Sequence, residues 1–307
     1  MRPEHSASAG LGRGGGSSPA PRPRFGLRRP GSKRSRQTAG AAWSAGAAPQ
    51  HVEVWWLRLG TLPWQGLVTV LDDVERDRLD RLRRREDQER LVLGAAAARA
   101  ALALRIGGSA RGVRLDRSCP DCPRPHGPPR LRHRHARLAL SVTHAGSLVG
   151  VAVGEVPALG LDVEPVRERA SLSWPADLAG IADLAGIGHL PGIAASGRTD
   201  SGPAAGNDVD SEALLTAWTR IEALVKLTGL GLRLSPADVV VSAPHEPAAL
   251  LAWPLGVAPA RVRVQDLRPD AAHVAALALL DAPAVLTVTE DDGQRLLARA
   301  GIHPGTS

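Results

Sequence analysis

The stretch RLALSVTHAGSLVGVAVGEVPALGLDVEPV, residues 137–166, carries the clearest β pattern of the sequence. Two apolar runs, 137–145 and 147–155, meet at a short turn around Gly146, which is typical of a β-hairpin. A proline break follows, and a third apolar run spans 158–166. This stretch therefore predicts three consecutive strands in the middle of the chain.

The flanking segments extend this pattern in both directions. Before it, residues 51–59 (HVEVWWLRL) read as a strand. Helical spacing of apolar residues follows at 71–82 and 86–105. After it, SEALLTAWTRIEALVKLTG (211–229) is the strongest helix of the second half. Further strands are predicted at 238–242, 261–267 and 273–280. Each half thus shows a strand, helices and two strands, so we predict an α+β fold with a pseudo-duplicated unit.

Composition divides the chain into four expected regions. Residues 1–50 form a basic tail rich in Gly, Ser, Pro and Arg, and such a composition predicts disorder. Residues 51–156 are the N-terminal half and residues 157–285 the C-terminal half, which carries the chemical motifs. Residues 286–307 are expected to form a C-terminal extension.

The net charge of +7 is concentrated in that tail, which has nine Lys and Arg residues against one acid. The body is therefore near neutral, which argues against a specific nucleic-acid binder. The sequence has no apolar run of the ~18 residues that a membrane span needs, and no secretory signal is evident. We expect a soluble cytoplasmic protein without membrane partners.

Two acids lie at the end of the third central strand. Asp162 and Glu164 are two residues apart, so a strand places both side chains on one face, with Cβ atoms ~7 Å apart. Such a pair suits a hard divalent cation, and magnesium best when phosphates are also bound. An isolated D-x-E is more often a hydrated strand end, so this pattern alone does not establish a metal site.

Lys226 is the only lysine of the body; the other, Lys33, lies in the tail. It follows Glu222 by four residues on the strongest helix, and such a pair is commonly a surface pair worth only ~0.2–0.5 kcal/mol. The neighbouring Trp218 and the otherwise exclusive use of arginine in the body favour a position that needs lysine chemistry. Thr143 and His144, at the hairpin turn, offer a hydroxyl and an imidazole N–H for a phosphate, although His144 is equally suited to capping the turn.

Taken in order, these motifs resemble the Sfp-type 4′-phosphopantetheinyl transferase family. The resemblance rests on three principal motifs and two upstream ones, and covers roughly residues 51–280. The principal motifs are SVTHAG (141–146), LGLDVE (159–164) and WTRIEALVKLTGLGL (218–232). The upstream motifs are REDQERLVLGAAAARAAL (85–102) and CPDCPRPHGPPRL (119–131).

The resemblance implies an enzyme that transfers the phosphopantetheine arm of coenzyme A, its co-substrate, to a serine of an apo acyl or peptidyl carrier protein. Such carriers serve polyketide, fatty-acid or nonribosomal peptide synthesis. It also implies a pseudo-duplicated α+β fold with coenzyme A between the halves, and a single chain of this kind permits a monomer.

Site residues follow from the same resemblance. Mg²⁺ would be held by Asp162, Glu164 and Glu222. Glu222 and Lys226 would be catalytic, with Glu222 helping to deprotonate the carrier serine and Lys226 neutralising the pyrophosphate. The residues expected to bind coenzyme A are Arg78, Arg90, Thr143, His144 and Lys226.

The chain departs from the family pattern in the Cys- and His-containing loop. The family has a basic residue after His-Gly, where this chain has Pro128. The departure motivates an alternative, a catalytically impaired module that binds coenzyme A or a carrier protein. Cys119 and Cys122, near His126, have the spacing of half a zinc site, but we interpret them from sequence as structural loop residues. A third hypothesis, a polyanion-binding protein, rests only on the basic tail.

Overall fold

The computed structural model describes residues 50–119, 121–132, 138–166 and 207–305. These residues all belong to one compact unit of the chain, residues 46–307. Nearly all of the basic tail, most of the segment 170–210, His133 and His135 lie outside the described residues, so the disorder expected of the tail stays a prediction. Within the described residues the protein is a mixed α+β structure, as the sequence predicts.

Four α-helices, five short 3₁₀ helices and eleven strands make up the described regular structure. The helices are α1 (Asp73–Arg81), α2 (Arg85–Ile106), α3 (Asn207–Thr228) and α4 (Gly293–Arg299). The strands of the two main sheets are β1 (Gln50–Arg58), β4 (Ala139–Ala145), β5 (Leu148–Gly154), β6 (Ala158–Pro165), β9 (Val262–Asp270), β10 (His273–Leu280) and β11 (Leu286–Asp292). The short strands are β2 (Leu115–Asp116), β3 (Arg130–Leu131), β7 (Val240–Val241) and β8 (Leu250–Ala252).

The two main sheets follow similar strand orders. One sheet has the order β11-β1-β5-β4 and the other has the order β6-β10-β9. In each, a first strand is followed along the chain by a long helix and then by an antiparallel pair, and the last strand of that pair lies beside the first strand. The predicted hairpin is β4–β5, and its turn includes Gly146, which adopts a left-handed backbone conformation at φ 50°.

The segment 286–307, expected as an extension, returns to the first half. β11 pairs with β1 in parallel, so that Val52 lies opposite Val288. Helix α4 then buries Leu296 and Leu297 in the same apolar cluster as Trp55 and Leu57 of β1. The last strand in chain order, β11, therefore pairs with the first, β1. A local sequence pattern does not reveal such long-range parallel pairing.

Three apolar clusters hold the helices and sheets together. One buries α2 against the first sheet, and another buries α3 against the second. A third cluster joins the two sheets, and β6 contributes Leu159, Leu161 and Val163 to it. The alternate residues of β6 therefore project to its other face, the face on which Asp162 and Glu164 lie.

Helix α3 packs closely against β6 because residue 160 is a glycine. A Cβ atom at Gly160 would overlap the backbone of Ala223 and Leu227 on α3. Gly160 lies on the same face of β6 as Asp162, since the two are two positions apart on the strand. The missing side chain thus allows α3 to approach the strand that carries the acids.

We expect Gly160→Ala to destabilise the protein by several kcal/mol, because helix backbone rather than a movable side chain occupies the space and overpacking typically costs about 1–3 kcal/mol or more. The measurement is the free energy of unfolding from chemical denaturation. The matched control is Gly256→Ala, since nothing lies within 4 Å of a Cβ at Gly256. Equal stability of the two variants would contradict the close contact.

Candidate functional site

Lys226 on α3 is the centre of a three-way contact between the halves. Its ammonium Nζ donates hydrogen bonds to Asp162 Oδ1 at 2.6 Å, Thr143 Oγ1 at 3.0 Å and the Leu161 carbonyl at 3.1 Å. A lysine ammonium has three donors, and these three acceptors satisfy all of them. One side chain thereby links α3 to β6 and to β4.

Thr143 completes the arrangement. Its hydroxyl accepts from Lys226 and donates to Asp162 Oδ1 at 3.2 Å. Both Thr143 and Asp162 are buried, whereas Lys226 is half-buried. A second link between the same strands is the hydrogen bond from the Leu161 N–H to Ser141 Oγ at 3.0 Å. Thr143 is therefore fixed against β6 and its hydroxyl is oriented by two charged groups.

The other oxygen of Asp162 has a different environment. Asp162 Oδ2 is buried and accepts no hydrogen bond from the described residues. A buried carboxylate oxygen without a donor costs free energy, commonly about 1–3 kcal/mol or more for a charged group. The atom therefore offers a ready acceptor for a cation that reaches this position.

Glu164 and Glu222 lie along the same contact between β6 and α3. Trp218 Nε1 donates to Glu164 Oε1 at 3.2 Å, and Lys226 Nζ donates to Asp162. Along α3, Trp218 lies four residues before Glu222 and Lys226 lies four residues after it. Residues spaced by four share a helix face. Glu222 therefore occupies the helical position between two residues that contact the acids of β6. Both Glu164 and Glu222 also make interactions with other groups.

Positive charge gathers at the neighbouring hairpin turn. Arg90 on α2 donates from Nε and Nη2 to the Gly146 carbonyl at 3.1 and 2.6 Å, and pairs with Asp87 at 2.7 Å. His144 lies two residues before that glycine. Its pKa is lowered, first by desolvation and then by the charges of Lys226, Arg90 and Arg78.

The side chain of His144 is nevertheless exposed to solvent. Contact with water therefore weakens the effect of desolvation on the pKa of His144. Repulsion from the neighbouring positive charges also lowers this pKa and does not depend on burial of the imidazole. The pKa of Arg78 is lowered as well, by burial and then by Arg117. The structure thus brings the charges of Arg78, Arg90 and Lys226 around His144 in one cationic region, beside the acids of β6.

A cleft of about 340 Å³ opens beside Lys226. Its walls come from both halves and from the Cys- and His-containing loop. They are lined by Pro128, Pro129, Arg130, Leu131, Leu138, Ala139, Leu140, Pro157, Ala158, Leu159, Lys226, Leu227, Thr228 and Gly229. Arg130, two residues after Pro128, is positioned by sequence to substitute for the basic residue missing at 128, and its place in the cleft wall agrees with that expectation. Its guanidinium lies close to Gly229, next to the end of α3.

Among the described residues, one group of three or more His, Cys, Asp or Glu side chains has ligand atoms that all lie within 4.8 Å of one another, and it is in this loop. The group is Cys119, Cys122 and His126. None of the helices that the structure describes combines the length and apolar character that crossing a membrane requires.

Comparison with known proteins adds no relative. No model of a protein family matches the chain, and no curated protein matches it with significant similarity.

The pKa of His144 gives a test of this geometry. Since its native pKa lies below the ordinary value of 6.5, the folded protein binds this proton less readily than the unfolded chain does. The free energy of unfolding is therefore undiminished by His144 above pH 6.5. It falls as the pH drops below 6.5, because the unfolded chain then binds the proton more readily than the folded protein does. We expect Lys226→Met to raise the pKa of His144, because it removes the first of the three cationic neighbours.

The measurement is an NMR titration of labelled histidines, with His144 assigned from the His144→Gln variant. Glu212→Gln is the matched control, because Glu212 lies on α3 about 21 Å from Lys226 along the axis and pairs with Arg268. An unchanged pKa in Lys226→Met, or an equal rise in the control, would contradict the placement of Lys226 beside the hairpin turn.

Proposed function

We propose that this chain is a 4′-phosphopantetheinyl transferase that moves the phosphopantetheine arm of coenzyme A to a serine of an apo acyl or peptidyl carrier protein. The observation that carries the proposal is the convergence of Lys226, Asp162 and Thr143 from three elements beside a cleft. These residues come from the three principal motifs of the resemblance, and they are 83 residues apart at the extremes. A surface Glu–Lys pair on one helix would require no such convergence.

The topology supports the pseudo-duplicated architecture that the resemblance implies. β1, α2, β4 and β5 correspond in chain order and pairing to β6, α3, β9 and β10, since the orders β1-β5-β4 and β6-β10-β9 are equivalent. In the proposal, coenzyme A binds between these halves, and its phosphates meet the cationic region around Arg90, His144 and Lys226.

The acids offer ligands for a divalent metal ion, although the carboxylate oxygens of Asp162, Glu164 and Glu222 do not all lie within 4.8 Å of one another, so side-chain movements would be needed to gather them around the ion. Asp162 Oδ2 is a buried carboxylate oxygen without a donor among the described residues, and Glu164 is a second buried carboxylate on the same strand face. Carboxylate oxygens are the ligands that Mg²⁺ prefers. Asp162 and Glu164, with Glu222 from α3, would hold the ion, and bound magnesium would neutralise charge on the pyrophosphate of coenzyme A.

The chain's own residues account for the rest of the chemistry. The carrier serine attacks phosphorus, and the bond from phosphorus to the nucleotide oxygen breaks. Glu222 accepts the proton of the serine hydroxyl, since a positioned carboxylate is an adequate general base. Lys226 stabilises the charge that develops on the phosphate oxygens through the positive charge of its fixed ammonium, because its three donors already have acceptors in Thr143, Asp162 and the Leu161 carbonyl.

A second candidate function is a module that binds coenzyme A or a carrier without transfer. Pro128 favours it, since Pro128 lines the cleft at the position where the family has a basic residue. Arg130 lines the same cleft and offers a guanidinium there, which favours transfer. The two candidates differ in one measurable property, the appearance of modified carrier.

The test incubates the full chain with labelled coenzyme A, Mg²⁺ and a panel of apo carrier proteins, and follows label on the carrier by mass spectrometry. We expect transfer by the native chain and a decrease of about 10²–10³-fold in Glu222→Gln, Asp162→Asn and Lys226→Met, because each removes a general base or a charged group at the reacting phosphate.

Glu212→Gln is the control and should retain full transfer. Circular dichroism and the unfolding midpoint show which variants are folded. Coenzyme A binding without transfer to any carrier supports the second candidate. Absence of both binding and transfer contradicts both candidates, and full transfer by the three site variants contradicts the assigned roles.

A further inference from the structure

The loop from Cys119 to Arg130 has a ligand geometry that the proposed transfer chemistry does not use. Cys122 Sγ lies 3.0 Å from His126 Nε2. The backbone N–H of Asp121 donates a hydrogen bond to Cys119 Sγ, with a nitrogen–sulfur distance of 3.4 Å. Both cysteines are half-buried and neither forms a disulfide. The three ligand atoms all lie within 4.8 Å of one another. Two sulfurs and one imidazole nitrogen are thus already gathered at one point.

We propose that Cys119, Cys122 and His126 bind one Zn²⁺ ion. Zinc prefers thiolate and imidazole ligands in tetrahedral geometry, with Zn–S distances near 2.3 Å and Zn–N distances near 2.0–2.1 Å. Those lengths place the ligand atoms about 3.6–3.8 Å from one another. The observed sulfur–nitrogen distance is shorter by about half an ångström, so small side-chain rotations suffice to admit the ion.

Charge and backbone geometry favour the same ion. Two thiolates and a neutral imidazole balance the charge of a divalent metal. The N–H of Asp121 also donates a hydrogen bond to the sulfur of Cys119, which holds that sulfur in place within the loop. Three protein ligands leave the fourth tetrahedral position of the zinc ion open to water or to another donor.

The backbone around His126 holds the ligands together before metal arrives. The Gly127 N–H donates to the Arg117 carbonyl at 2.8 Å, and the His126 N–H donates to the Arg124 carbonyl at 3.0 Å. A Cβ at Gly127 would overlap the carbonyl oxygen of Ser118, so a glycine is needed for the loop to close on itself. A pre-formed loop reduces the ordering cost of binding.

The position of the loop gives the ion a structural role. Pro128, Pro129 and Arg130 follow His126 after one intervening glycine and line the cleft beside Lys226. On the other side, Asp121 pairs with Arg233, which lies just after α3, at 3.7 Å. An ion that joins Cys119, Cys122 and His126 would therefore fix one wall of the cleft. The metal site does not require that the cleft be catalytic.

The first experiment uses Co²⁺ as a probe for the full chain, reduced and freed of metal. Because the chain contains only two cysteines, a thiolate-to-cobalt absorption band reports on this loop alone. We expect one equivalent of Co²⁺ to produce that band, one equivalent of Zn²⁺ to abolish it, and protons to be released on binding. No band with both thiols reduced would overturn the proposal.

The variants Cys119→Ser, Cys122→Ser and His126→Gln identify the ligands. We expect each to lower Zn²⁺ affinity at least about 100-fold, since loss of even an outer partner of a metal ligand costs about 10–100-fold. His245→Gln is the control, because His245 is exposed in a different loop, and it should leave affinity unchanged.

Circular dichroism of the metal-free variants separates loss of a ligand from loss of folding. A cobalt band of full intensity in Cys119→Ser, Cys122→Ser or His126→Gln would overturn the three-ligand site. The readout is metal binding rather than activity, so it does not depend on the proposed transfer function. Failure of one proposal is thereby distinguishable from failure of the other.

Discussion

The ion pair between Lys226 and Asp162 is the interaction on which the site depends. It has an N–O distance of 2.6 Å and joins the second half's helix to its first strand, while Thr143 connects both to the first half. The pair lies in a partly buried place, where charges attract more strongly than at an exposed surface but cost more to desolvate. The hydrogen bonds to Thr143 and the Leu161 carbonyl offset that cost by occupying the remaining donors of the ammonium.

This interaction in turn requires the close packing of α3 on β6. Gly160 removes the side chain that would hold the helix away, and the apolar residues on the opposite face of β6 anchor the strand between the two sheets. Successive side chains of β6 point to opposite faces of the strand, so the core residues and the acids lie on different faces. One face of β6 contributes to the core, and the other presents Asp162 and Glu164 to the helix.

The charges around the site have opposite signs on neighbouring elements. Acids lie on β6, whereas Arg78 and Arg90 place positive charge around His144 at the hairpin turn, and Lys226 lies between the two regions. A ligand with phosphates and a bound divalent cation complements both regions at once. The Cys- and His-containing loop borders the same cleft, so a zinc ion there would act on the shape of the cleft and a magnesium ion at β6 on its charge.

Local pattern was sufficient for most of the regular structure. Apolar runs bounded by the Gly146 turn and a proline break predict the three central strands, and the predicted strand 273–280 coincides with β10. Apolar spacing predicts α2 and α3 to within a few residues. These elements follow from sequence because the signals that define them lie within a few residues of one another.

The sequence by itself determined which chemistry is present: two acids in one strand face, one lysine in the body, and two cysteines with a nearby histidine. The tertiary structure alone decided which of these groups meet. It brought Lys226 to Asp162 and Thr143, paired β11 with β1, placed Arg130 in the cleft, and drew Cys119, Cys122 and His126 within 4.8 Å. The contacts of Lys226 and the β11–β1 pairing join residues far apart along the chain, and their energies arise from packing and burial that no local pattern encodes. The three ligands of the loop are close in sequence, but the backbone conformation that gathers them is also not evident from their spacing.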